Sequence, residues 1–181
     1  ASGLFQISPS DWSADGRFLA YTSTALGTSD VWVLPLFGDR KPFSLVQTQF
    51  TETGAVFSPD VRWIAYTTNE SGQPNVVIQP FPGTGRKYQV STNGGGQPVW
   101  RADGKELFYL GADGTMMAVP IDATGQFDAG VPRALFPTGA ASVFIASQTY
   151  AVTKDGKRFL VNSRPGQSNL APLTVVVNWT A

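Results

Sequence analysis

Four aspartates, each followed two positions later by a base, are the residues of this chain most suggestive of chemistry: Asp15 and Arg17, Asp60 and Arg62, Asp103 and Lys105, Asp155 and Lys157. Paired carboxylates do acid–base work in glycoside hydrolysis, one protonating the leaving oxygen while the other activates water or attacks. Their surroundings argue for a plainer role. Each acid occupies the same place in one strip of chain, DWSADGRFLAY (11–21), VFSPDVRWIAY (56–66), VWRADGKELFY (99–109) and AVTKDGKRFLV (151–161). One position repeated in four units lies on a ring of separated turns. There a carboxylate accepts from backbone N–H groups just ahead, and the following Gly16, Gly104 and Gly156 permit positive φ. Turn capping is the expected role of Asp15, Asp60, Asp103 and Asp155. Val61 breaks the glycine column, so that turn either avoids positive φ or bears strain.

Composition removes other chemistries. The 181 residues include no His and no Cys, which excludes the usual zinc sites, Ser-His-Asp and Cys-His engines, and any disulfide. A metal in a central channel needs several converging oxygens. The inner segments TGAVF (53–57) and GQPVW (96–100) offer small or neutral groups, so neither metal nor cofactor is expected. The glycines at 94–96 are followed by no Lys-Ser/Thr pair and form no phosphate loop. Thirteen bases balance thirteen acids, and a neutral chain has no pull towards nucleic acid or an anionic surface. Residues 1–7 lack a basic start and apolar core, and the longest uncharged stretch, 134–153, is too polar to cross a bilayer, so this segment is expected to make no membrane contact.

The elements that must position these residues follow from the repeat. The central acids are 45, 43 and 52 residues apart, near the roughly 40–45 residues of one four-stranded propeller blade. Three positions before the acid stand Trp12, Phe57, Trp100 and Val152, which would end an inner strand with an apolar group pointing between blades. Four and six positions after it stand Leu19, Ile64, Leu107 and Phe159, then Tyr21, Tyr66, Tyr109 and Val161. This period of two marks a half-buried strand. Third strands are read at 31–36, 75–81, 116–121 and 173–179, and outer strands at 41–46, 86–91 and 132–136. The long last step puts a longer loop at 122–148. The reading is all-β: a single domain over 1–181, a partial or half β-propeller of about four blades of four antiparallel strands, at 8–46, 53–91, 96–136 and 148–179. The chain starts just past where an outer strand would end, as if cut from a ring, and the Leu4-Phe5-Gln6-Ile7 run is the candidate for completing another blade.

These strips, with FSPDVRWIAYTTNESGQPNVVIQPFPG and YAVTKDGKRFLVN, resemble the WD-like repeats of TolB-type β-propellers. The runs QPFPG (79–83), VSTNGG (90–95) and PLTVVVNWTA (172–181) are similar to the C-terminal propeller of bacterial receptor-type Ser/Thr protein kinases. That resemblance implies a periplasmic or otherwise extracytoplasmic sensing or interaction domain, tied in the parent to a kinase domain beyond this chain. No kinase element, neither a Gly-rich loop with its lysine strand nor HRD nor DFG, occurs here.

The links from outer to next inner strands and those from second to third strands open on one rim. On it Gln49, Glu52, Asn69, Glu70, Asn93 and Gln97 form a polar set able to receive a peptide or sugar, although solvated loops look the same in sequence. The leading functional reading is a non-catalytic module binding a protein or a small ligand. One rival, the gating propeller of a prolyl-oligopeptidase-like hydrolase, requires a Gly-x-Ser-x-Gly elbow and a His, which are missing. Another is the propeller of a lyase or glycosidase working with channel carboxylates such as Glu52. Four open blades would expose apolar faces and strand edges. A compact four-bladed ring would cover them, and so would a head-to-tail homodimer of eight blades, which bulky aromatics at every interface favour.

Overall fold

The computed structural model describes residues 6–25, 27–83, 85–139, 148–162 and 174–176. Among them are strands and no helix: β1 (Gln6–Trp12), β2 (Phe18–Ala25), β3 (Thr28–Pro35), β4 (Phe43–Val46), β5 (Glu52–Phe57), β6 (Trp63–Thr68), β7 (Asn75–Pro80), β8 (Tyr88–Gln89), β9 (Gly95–Trp100), β10 (Glu106–Gly111), β11 (Thr115–Asp122), β12 (Asp128–Ala129), β13 (Arg133–Pro137), β14 (Tyr150–Val152), β15 (Phe159–Val161) and β16 (Thr174–Val176). They make four antiparallel sheets in chain order. β1 to β4 form the first and β5 to β8 the second. In the third, β9, β10 and β11 run in order with β12 and β13 both on β11, and β14 to β16 form the fourth. Short polar turns force consecutive strands to be neighbours, and alternation then sorts the faces. In the first sheet Leu19 pairs with Leu34 and Tyr21 with Trp32, while the intervening Ala20 pairs with Val33 and Thr22 with Val31. Side chains one residue apart point to opposite faces, so the second set is buried and the first half-buried.

Successive sheets pack face to face around three apolar clusters. Ala20, Val31 and Val33 of the first sheet meet Phe57, Ile64, Tyr66 and Phe81 of the second. Ala65, Val76 and Ile78 of the second meet Leu107, Tyr109 and Val119 of the third. Phe108, Leu110 and Met116 of the third meet Tyr150, Phe159 and Val161 of the fourth. Each valine, leucine, isoleucine, phenylalanine or methionine side chain among them withdrawn from water contributes roughly 1.5–3 kcal/mol, far more than an exposed turn ion pair at roughly 0–1 kcal/mol.

The expected all-β architecture of blade-like sheets is found, with three strands of the fourth sheet among the described residues, and with three differences. The third sheet has an extra strand, β12, inside the stretch read as a loop. Gln6 and Ile7 do not complete another sheet, because they extend β1 and pair with Thr24 and Ser23; Leu4 and Phe5 lie outside the described residues. Trp12 does not point between sheets as Phe57 and Trp100 do. It is 61% exposed and joins none of the three clusters, because the first sheet meets the second through its opposite face.

The inner strands share an irregularity that links the sheets. β1, β5 and β9 each slip register, at Pro9/Asp11, at Thr53/Val56 and opposite Phe108/Leu110. The bulge residues Gly54 and Gln97 have φ of +63° and +58°. Turned this way, the Gly54 N–H donates to Thr22 Oγ1 at 3.4 Å and the Gln97 N–H to Thr67 Oγ1 at 3.1 Å, each on the preceding sheet. A bulge frees one N–H from the ladder and re-aims it.

Candidate functional site

The four repeat aspartates sit in their own turns. Asp15 Oδ1 accepts from the Ser13 hydroxyl at 2.6 Å and the Arg17 N–H at 3.0 Å. Asp60 Oδ1 does the same with Ser58 and the Arg62 N–H, at 2.6 and 3.1 Å. Asp155 takes the Thr153 hydroxyl and the Lys157 N–H. The hydroxyl is the middle of a relay, for it also accepts the N–H that leaves the turn, from Phe18, Trp63 or Arg158. In the third turn Arg101 holds the hydroxyl's place and forks onto Asp103 at 2.7 and 2.9 Å. The Ser13 hydroxyl, the Arg101 guanidinium and the Thr153 hydroxyl are the main causes holding Asp15, Asp103 and Asp155 below the ordinary carboxylate value. At Asp60, partial burial opposes the same bonds and is outweighed. Val61, with φ of +60°, takes the strained alternative, which costs a non-glycine residue about 1–2 kcal/mol. The hydroxyl column was overlooked in the sequence, although Ser-x-Asp, Ser-x-Asp and Thr-x-Asp signal it.

Beside these turns run three equivalent inter-sheet crevices, and each is filled differently. Between the first and second sheets stand Phe18, Phe57 and Phe81, ring centroids 4.9 to 6.3 Å apart, with Val61 packed on the same cluster. The equivalent places between the second and third sheets hold Trp63, Trp100, Ile121 and Gly104. Smaller groups at the last two leave a cavity of about 460 Å³, lined by both tryptophans and Ile121, with Asp60, Arg62, Asp103, Lys105, Asp122 and Thr124 around it. Arg62 closes one side by donating to the Ala123 carbonyl at 3.3 Å, and the Trp100 indole N–H reaches the Val56 carbonyl at 3.3 Å. Between the third and fourth sheets the tryptophan place is taken by Glu106. It pairs with Arg101 and Arg133, both at 2.9 Å, and Arg101 packs over Gly156.

The opposite rim carries the residues read as ligand-binding. Glu52 is fully buried: its Oε1 accepts from Thr48 at 2.7 Å and Thr68 at 3.3 Å, and its Oε2 has no hydrogen-bond partner among the described residues. Burial raises its pKa, the Thr48 and Thr68 bonds oppose this, and the charge of Asp30, whose Oδ1 also lacks a partner, raises it again. Asn69 Oδ1 accepts the Thr51 N–H at 2.8 Å, and Glu70 pairs with Lys87 at 3.1 Å. Glu52, Asn69 and Glu70 are thus gathered at the end of the second sheet with Asp30, which the sequence reading missed. Gln49 is exposed nearby in sequence. Asn93 lies apart, in a hollow of about 340 Å³ with Tyr109 and Asp113. Gln97 is apart too and buried. Its carbonyl takes Gln148 Nε2 at 3.1 Å and the Tyr150 hydroxyl at 2.7 Å, and its Oε1 takes the Thr149 N–H and hydroxyl at 2.8 and 2.7 Å. It ties the third sheet to the fourth.

No family model matches the chain, and no curated protein matches it. Solved structures do. The chain is similar to TolB from Acinetobacter baumannii with a TM-score of 0.72 at 18% identity, over 96% of this chain and 41% of that one. A TolB-like protein from Agrobacterium tumefaciens gives 0.66 at 18%, over 86% and 57%. An oligogalacturonate lyase in complex with manganese gives 0.64 at 12%, over 93% and 50%. The fold is a β-propeller like that of TolB. The chain spans about half the length of these structures, and at such identities the likeness speaks for fold and not for activity.

Proposed function

We propose that this chain is a non-catalytic β-propeller module that binds a ligand in the crevice between its second and third sheets. In its parent it serves as the extracytoplasmic sensing or interaction part of a bacterial receptor-type Ser/Thr kinase. One observation carries the binding reading: of three equivalent crevices, one is filled by phenylalanines and Val61 and another by an arginine–glutamate pair, while the Trp63–Trp100 crevice stands open. A concave, mostly apolar hollow with a few convergent polar groups is the usual form of a small-molecule site. The absence of chemistry is supported by the turn aspartates, each bonded within its own turn. The kinase assignment is supported by the similarity of QPFPG, VSTNGG and the closing PLTVVVNWTA to that family's propeller.

The test is a thermal-shift screen run in parallel on the wild type and Gly104→Val, which puts into this crevice the side chain that Val61 puts into its neighbour. Ligands of the crevice raise the melting temperature of the wild type alone. If every hit acts equally on both, the crevice is not the site. For the parent, the upstream gene sequence must encode a kinase domain and a membrane span.

Glu52 favours a second reading, a hydrolase or polysaccharide lyase. A buried carboxyl whose pKa is raised by burial, with the charge of a second carboxylate acting on it, is a general-acid arrangement, and one of the similar structures is a lyase by name. Turnover of a polysaccharide or peptide that Glu52→Gln abolishes would establish it in place of the first.

A further inference from the structure

We infer that the open crevice takes a neutral saccharide unit, an assignment that rests on the reading of this crevice as the binding site. Its volume of about 460 Å³ lies within the range of small-molecule sites, about 300–1,000 Å³. The choice of ligand comes from the contrast between walls and mouth. Trp63, Trp100 and Ile121 make the walls apolar, with Trp63 held against Phe127 at 4.3 Å between ring centroids, and an indole face left open to the cavity carries negative charge density that attracts polarised C–H groups. The mouth bears Asp60, Asp103 and Asp122 against Arg62 and Lys105. An anion there meets three carboxylates, a cation meets two bases, and a wholly apolar ligand strips water from charged groups with nothing in exchange. A pyranose ring has a C–H face for the indoles and hydroxyls that both donate and accept.

Three groups at the crevice are uncommitted among the described residues. Both Thr124 bonds to Asp122 go to Oδ1, which leaves Oδ2 to accept from a sugar hydroxyl. The Lys105 ammonium makes no ion pair and the Trp63 indole N–H no hydrogen bond, so both can donate to one. The neighbouring crevice gives the contrast: at the equivalent places Phe18 and Phe57 have no N–H, and Phe81 and Val61 occupy the space. Ile121 and Gly104 therefore open this crevice, and Trp63 adds a donor to it.

The experiment is proton–nitrogen NMR of the uniformly labelled chain, following the indole N–H signals, with maltose, cellobiose and diacetylchitobiose as probes at millimolar concentrations. At least one is expected to shift the Trp63 and Trp100 signals saturably while those of Trp12 and Trp32 stay in place, and to bind about tenfold or more weakly to Gly104→Val. A Cβ at Gly104 meets only Pro59 Cδ, at 3.7 Å, and Val61 shows that the turn holds a valine. Ile121→Phe, which copies Phe81, is the second blocking variant. Silence from all three sugars overturns the inference. If an aromatic tetrapeptide moves Trp63 and Trp100 instead and Gly104→Val blocks it, the saccharide falls and the crevice stands. If a sugar shifts these signals equally in the wild type and both blocking variants, both readings fall.

Discussion

Replacing Glu52 by Gln should stabilise the fold at neutral pH. Glu52 is fully buried, its Oε2 faces no donor among the described residues, and the Asp30 charge acts on it. Glutamine keeps an acceptor for Thr48 and Thr68. It also replaces the orphaned charged oxygen by a neutral NH₂, which removes the repulsion from the Asp30 charge. Leaving a buried polar group unsatisfied costs about 1–3 kcal/mol, and more for a charged one, so relief of about 1–2 kcal/mol is expected above pH 7. For a chain of this size that is a rise in melting temperature of roughly 2–8 °C. The pH dependence identifies the cause. Because the folded-state pKa of Glu52 is raised, its proton binding stabilises the fold fully below the unfolded value, and this contribution is lost as pH rises through the folded value. The advantage of the glutamine should therefore be present at pH 8 and fade towards pH 4. Thermal unfolding followed by circular dichroism across that range, with Glu52→Ala as the variant that removes the acceptor altogether, measures it. A glutamine variant less stable than the wild type at pH 8, or a gap independent of pH, would refute the reasoning.

Two further outcomes follow from the links between sheets. Thr67→Val keeps the shape but removes the oxygen that accepts the Gln97 N–H at 3.1 Å; with a buried donor left unpaired, urea unfolding should show a loss of about 1–3 kcal/mol, and Thr22→Val, whose bond is 3.4 Å, a smaller one. Gly95→Ala should be worse than either, because its Cβ would lie 2.7 Å from the Tyr109 ring and 2.9 Å from the Leu110 carbonyl; a loss of at least about 3 kcal/mol is expected, and a variant as stable as the wild type would contradict the packing at β9.

What could be read beforehand was what depends on near neighbours. The Asp-Gly turns, their flanking strands and the order within each sheet are legible because their hydrogen bonds join residues a few positions apart and their faces alternate with period two. The four-fold repetition of one strip then implies stacked sheets. Residues meeting across sheets were not legible. Trp12 and Trp100 share a column and a residue type, yet one is exposed and the other bonds to Val56, because only one has a sheet against that face. Gln97 looks like a rim residue until its bulge turns it towards Thr149 and Tyr150. Glu52 and Asp30 belong to different repeats, so no local pattern announces that they act on each other. The cavity was invisible for the same reason: it arises from Gly104 and Ile121 standing where Val61 and Phe81 stand one repeat earlier.

The strained valine in the second turn has an implication for evolution and engineering. Since a β-branched residue there helps to close its crevice from a backbone geometry that glycine would adopt freely, this one wedge can be added or removed by a single mutation that leaves the ladder untouched. A family built on this plan can relocate its specificity around the ring by exchanging a handful of wedge residues. A designer could do likewise, carving a second cavity beside the first by copying Trp, Trp, Ile and Gly into the places of Phe18, Phe57, Phe81 and Val61.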